Sequence, residues 1–144
     1  MTIRKETIRK LLQELASEYD IKIRFTESLN GDGEARFWNN SISISTKQSP
    51  RGMLSTFFHE AGHVYCWDKS LWKSYHIDKP IENLTPQERT NYLKTALRAE
   101  RWVDNWAKKE MRKHFPDIKY IDGYLSKQDG EILKKSIRKL LKYE

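Results

Sequence analysis

Hydrophobic and polar residues alternate along this chain with two different periods, and the switch between them divides it into elements. From about Thr2 to Tyr19, Ile8, Leu11, Leu12, Leu15 and Tyr19 recur at spacings of three and four, with Arg4, Lys5, Arg9, Lys10, Glu14 and Glu18 between them. That period predicts an amphipathic surface helix. It drops to two at Ile21, Ile23 and Phe25, which alternate with Lys22, Arg24 and Thr26 as in a half-buried strand. Asn30-Gly31-Asp32-Gly33 reads as a loop. Ala35-Arg36-Phe37-Trp38 and Ser41-Ile42-Ser43-Ile44-Ser45 flank Asn39-Asn40, a pair able to take positive φ, and are expected to form a hairpin. The N-terminal third thus reads as a helix followed by a short antiparallel sheet of about three strands, with Ser41–Ser45 as a strand edge onto which a peptide could add.

Helical periods then take over. Ser49-Pro50 has the chemistry of an N-cap and a first helical residue. In the helix that follows, Leu54, Phe57, Ala61, Val64 and Tyr65 fall on one side at 100° per residue, and Thr56, His59, Glu60, His63 and Trp67 on the other. The first set is expected to rest on the sheet. Gly62 in a helix interior costs about 1 kcal/mol relative to alanine, which suggests a close approach to the backbone there. Residues 68–84 show no period and read as a loop over the site. Thr85-Pro86-Gln87-Glu88 has the form of a capping box and opens a long helix that should stop before Pro116. Its buried stripe is Leu93, Ala96, Leu97, Glu100, Val103, Asp104, Ala107 and Met111, with two carboxylates amid apolar residues. A last helix is expected from about Ser126 to Tyr143. The fold class is α+β, and the 144 residues suit a single domain with one core.

Composition narrows the setting. Hydrophobic residues make up 38% of the chain and aromatic residues 12%, too rich for disorder. The single Cys66 cannot form an internal disulfide, and no apolar run has the length of a signal segment or membrane span, so a reducing, cytoplasmic location without a membrane partner is expected. The net charge of +7 suits solubility or an acidic partner such as nucleic acid. Lys134, Lys135, Arg138, Lys139 and Lys142 on the last helix are the candidate nucleic-acid contacts, although no aromatic residue is interleaved there to stack on bases.

The chemistry gathers at His59-Glu60-Ala61-Gly62-His63, an H-E-x-x-H pattern. Two histidines four apart on a helix share a face and can grip one metal ion, with a glutamate beside them to handle a proton. A hydrolytic zinc site takes three protein ligands and keeps a fourth position for water, so a third ligand must come from elsewhere. Glu100 is the leading candidate, because a carboxylate on a buried stripe needs a cation, and Arg98 or Arg101 offer the ordinary alternative. His76, 13 residues after His63, is the rival ligand, and Asp68, Asp78 and His114 complete the candidates. Asp104, one turn beyond Glu100, is placed to accept the free ring N–H of a ligand histidine. The longer pattern with a glycine and a third histidine at fixed offsets fails at Cys66 and Lys69.

With Glu100-Arg101-Trp102-Val103-Asp104-Asn105-Trp106-Ala107 downstream of H-E-x-x-H, residues 35 to 110 resemble the ImmA/IrrE-type zincin metallopeptidases of phages, mobile elements and bacteria. Trp102 stands where that family carries a second acidic residue, and Val103 where it carries alanine. The resemblance implies a zincin-like domain with Zn²⁺ on His59, His63 and Glu100, Glu60 as general base and Asp104 behind a histidine. It also implies hydrolysis of a protein substrate, such as a repressor or a DNA-associated protein. A second resemblance, to SprT-type peptidases that act on DNA-bound proteins with three histidines, rests on His63 and His76. Tyr75, His76 and Tyr92 are candidate oxyanion donors. The competing classes are a basic nucleic-acid-binding protein with a structural zinc and an adaptor with an inactive peptidase fold; an intact Glu60 argues against the adaptor. Oligomeric state is not legible.

Overall fold

The computed structural model describes residues 4–27, 31–36, 39–68 and 83–121, with the side chains of residues 5, 66–68 and 92–97 outside that description. Helix α1 (Lys5–Glu18) buries Ile8, Leu12, Leu15 and Ala16 and exposes Glu6, Arg9, Lys10, Gln13 and Glu14, as its period predicts. The helix closes at Tyr19, whose N–H reaches the Leu15 carbonyl at 3.0 Å. Asp20 then takes a φ of 56°, the left-handed region that aspartate tolerates, and Ile21 turns into the core.

Strands β1 (Lys22–Thr26), β2 (Gly33–Arg36) and β3 (Ser41–Ser45) form a three-stranded sheet in the order β1-β3-β2. The expectation of an antiparallel sheet is corrected here, because the sheet is mixed. β2 and β3 form the antiparallel hairpin, with Arg36 opposite Ser41 and Asn40 at a φ of 50°, but β3 also lies parallel to β1. An alternating pattern specifies which face each side chain takes and carries no information on strand direction. The same order makes β3 the central strand, so Ser41–Ser45 is not an edge. Ile42 and Ile44 are buried, and so are Ser43 and Ser45, because β3 is covered on both sides. Gly33 belongs to β2 and not to the preceding loop.

Helix α2 (Pro50–Asp68) starts where its cap chemistry places it, with Ser49 Oγ accepting the Gly52 N–H at 3.0 Å. It is the axis of the packing. Phe57 and Phe58 meet Tyr19 at ring-centroid distances of 6.2 and 6.3 Å, and each contributes about 1.5–3 kcal/mol by leaving water. Leu54, Phe57, Ala61 and Val64 are buried as the helical period predicts. Tyr65 is not: it is 38% exposed and stacks on Trp102 and Trp106. Thr56 and His59, from the opposite face, are buried as well, because β2 and the next helix cover that side.

Helix α3 (Pro86–His114) opens on a complete capping box between Thr85 and Glu88, with Pro86 in the first turn, and ends before Phe115-Pro116. Val103, Asp104, Ala107 and Met111 lie buried on the predicted stripe. Arg112, Lys113 and His114 in its last turn oppose the negative end of the helix dipole. The chain then folds back onto α2, where the Ile121 N–H donates to Ser55 Oγ at 3.1 Å and Tyr120 is buried. Of the loop expected over the site at residues 68–84, residues 69–82 lie outside the described residues, as does the last predicted helix, while Asp68 belongs to α2. Among the described residues no helix is long and apolar enough to cross a membrane.

Candidate metal centre

One turn of α2 puts His59 and His63 on the same face, with their Nε2 atoms 3.3 Å apart. α3 reaches this face closely because Gly62, between the histidines, has no side chain. A β-carbon there would lie 2.9 Å from Val103 Cγ1 and 3.1 Å from Trp106 Cε3. That is the close approach expected from a mid-helix glycine. Glu100, one turn before Val103, then lies with Oε2 3.1 Å from His59 Nε2 and Oε1 3.3 Å from His63 Nε2. A tetrahedral ion with ligand bonds of about 2.0–2.1 Å has ligand-to-ligand edges of about 3.3 Å, so these separations fit the edges of such a site. His59, His63 and Glu100 could therefore hold a metal ion.

A second feature fits the same ion. Glu100 Oε2 is buried and has no aligned hydrogen-bond donor, although His59 Nε2 is close. A buried acceptor without a donor is costly, and a cation between the three residues would satisfy it. Arg98 and Arg101, the ordinary partners considered for Glu100, are exposed, while its carboxylate faces the imidazoles.

Behind the pair, His59 Nδ1 lies 3.0 Å from Asp104 Oδ1. A proton on Nδ1, donated to Asp104, leaves Nε2 as the ring atom that an ion on the Glu100 side would take once that nitrogen is deprotonated. Tyr120 donates its hydroxyl to the same Oδ1 at 2.6 Å and lies 3.4 Å from His59 Nδ1. Asp104 is legible in the sequence as a carboxylate on a buried stripe. Tyr120 is not, since it follows Pro116 in a stretch without a period, and a lone aromatic residue was the only signal.

The electrostatics follow from burial and proximity. Burial opposes ionisation of Glu100, but the His63 and His59 imidazoles outweigh it and hold the carboxyl well below its usual range. Burial likewise opposes charge on both histidines. The carboxylates of Asp104, Glu100 and Glu60 nonetheless raise His59 well above an ordinary histidine, and those of Glu100 and Glu60 raise His63. Glu60 is pushed up, chiefly by burial, with the Glu100 and Glu34 charges adding and the two histidines opposing. It sits beside β2: a β-carbon at Gly33 would lie 3.0 Å from Glu60 Cγ and 2.5 Å from Thr56 Cγ2.

Not every candidate comes to this centre. His114 is elsewhere, with Nε2 3.0 Å from the Tyr19 hydroxyl where α1 meets α3. Tyr75, His76 and Asp78 lie outside the described residues, as do the side chains of Asp68 and Tyr92. The basic set Lys134, Lys135, Arg138, Lys139 and Lys142 also lies outside them. Comparison with protein-family models, with curated proteins and with solved structures finds no match.

Proposed function

We propose that this chain is a zinc-dependent metallopeptidase that hydrolyses a peptide bond in a protein substrate. The observation that carries the reading is the approach of Glu100 to both imidazoles of the H-E-x-x-H helix, at 3.1 and 3.3 Å. Two imidazoles and one carboxylate are a donor set suited to zinc, and three protein ligands leave one position open, as hydrolytic sites require. The resemblance to ImmA/IrrE-type peptidases supports the same assignment and suggests a repressor or DNA-associated protein as substrate.

His59, His63 and Glu100 would hold the ion, and Asp104 keeps His59 in the tautomer that a ligand needs. When bound, zinc supplies a Lewis acid that polarises the scissile carbonyl and lowers the pKa of water from about 15.7 toward neutrality. Glu60 takes a proton from the attacking water as the carbon–oxygen bond forms, then delivers it to the leaving amine as the carbon–nitrogen bond breaks. Burial holds its pKa above that of an ordinary carboxyl, the direction that a group taking up and returning a proton requires. The outer strand β2, beside Glu60, is the strand onto which a substrate peptide adds, in place of the central β3.

The test uses the zinc-loaded chain and a peptide library, with new termini read by mass spectrometry. Wild type is expected to generate cleaved peptides, and Glu60→Gln to bind zinc without cleaving. Equal cleavage by the two proteins contradicts the reading.

A further inference from the structure

We infer that Tyr120 is a positioning residue of the metal centre, acting on His59 through Asp104; the inference rests on the metal reading above. Its hydroxyl donates to Asp104 Oδ1 at 2.6 Å, the same oxygen that accepts from His59 Nδ1 at 3.0 Å. Both contacts are buried, so solvent does not compete for the carboxylate. Asp104 alone could rotate about its side-chain torsions. A second donor from a different segment holds its Oδ1 where the imidazole needs it.

The backbone around Tyr120 is built to keep it there. The α3 end is closed by the Phe115 N–H bonding to the Met111 carbonyl at 2.7 Å, and the Ile118 N–H then bonds to the Phe115 carbonyl at 3.1 Å. The next tie is the Ile121 N–H to Ser55 Oγ at 3.1 Å, one residue past Tyr120 and one turn before His59 on α2. The returning segment therefore bridges the helix that carries the two histidines and the helix that carries Glu100 and Asp104. Among the described residues of that segment, the Tyr120 hydroxyl is the buried polar side-chain group, and it meets both sides of the Asp104–His59 contact. Partners behind a metal ligand raise its basicity and fix its orientation, and losing one weakens metal binding by about 10–100-fold.

The experiment measures Zn²⁺ affinity by competition with a chromophoric chelator for the full chain, Tyr120→Phe, Asp104→Asn and the double variant. Circular dichroism of each metal-free protein checks folding, and Co²⁺ absorption reports ligand geometry. Tyr120→Phe keeps the ring and removes only the hydroxyl. The expected result is an affinity loss of about tenfold or more for Tyr120→Phe, with an altered Co²⁺ spectrum, and no added loss on the Asp104→Asn background. An unchanged Zn²⁺ affinity in Tyr120→Phe overturns the inference, as does an undiminished loss in the double variant. Failure of the wild-type chain to bind Zn²⁺ instead overturns the metal reading on which it rests.

Discussion

Gly62 of α2 and Val103 of α3 meet so closely that a β-carbon on the glycine would lie 2.9 Å from Val103 Cγ1. This contact sets how near α3 comes to the two histidines, and Glu100 lies one turn from it. Gly62→Ala should gain about 1 kcal/mol in helix propensity but lose about 1–3 kcal/mol by overpacking a buried contact. The overpacking is expected to win, with lower stability in urea and weaker Zn²⁺ binding as Glu100 is pushed from the imidazoles. A more stable variant with unchanged metal affinity would show that the helices have room to separate.

Gly33 makes the equivalent contact on the other side of α2. A methyl group there meets Thr56 Cγ2 at 2.5 Å and Glu60 Cγ at 3.0 Å. Gly33→Ala should displace Glu60 while leaving His59, His63 and Glu100 in place. Peptide cleavage is expected to fall by about tenfold or more, with Zn²⁺ affinity little changed. Parallel kinetics and metal titration check this split, and full activity in the variant would argue that Glu60 is not held against β2.

Metal binding should depend on pH with a definite sign. In the metal-free chain His59 and His63 are both raised above ordinary histidine, and a ligand imidazole must be neutral. Their attraction to Glu100 stabilises the metal-free fold below pH 6.5 and is lost as pH rises through the raised values. Zinc binding runs the opposite way and strengthens over that same window as the protons leave. The rise in Tm on adding Zn²⁺ is therefore expected to be larger at pH 8 than at pH 6. An equal or larger rise at pH 6 would contradict the assignment of both imidazoles as ligands.

Away from the centre, the Tyr19 hydroxyl donates to Glu110 Oε2 at 2.7 Å and ties α1 to α3. Burial disfavours the charged Glu110 carboxyl, but the Lys113 and Tyr19 hydrogen bonds and the Lys113 and His114 charges outweigh it and lower its pKa. A lowered carboxyl stabilises the fold above its unfolded pKa of 4.5, and that stability is lost as pH falls through the folded value. Tyr19→Phe should cost about 1 kcal/mol at pH 7 and progressively less below pH 4.5. Urea unfolding at neutral and acid pH measures the difference, and a cost independent of pH would assign it to packing alone.

Much of this centre is legible from residue type and spacing. His59 and His63 are one helical turn apart in any α-helix, and a carboxylate at Glu100 or Asp104 on an apolar stripe needs a cation or donor wherever that stripe is buried. Thr85 and Ser49 mark helix starts by local hydrogen bonding alone. The features that escaped depend on contacts between distant segments. The parallel pairing of β1 with β3 is invisible to a period-two pattern, the exposure of Tyr65 follows from where α3 crosses α2, and Tyr120 reaches Asp104 only after the chain has turned back.

The central claim is that Glu100 completes a metal site with His59 and His63, and a crystal structure of the zinc-loaded chain tests it most directly. The expected result is His59 Nε2, His63 Nε2 and a Glu100 oxygen all within about 2.0–2.2 Å of one anomalous scatterer, with Asp104 on His59 Nδ1. A zinc ion completed by His76 with Glu100 turned away, or no ion between the two histidines, would contradict it.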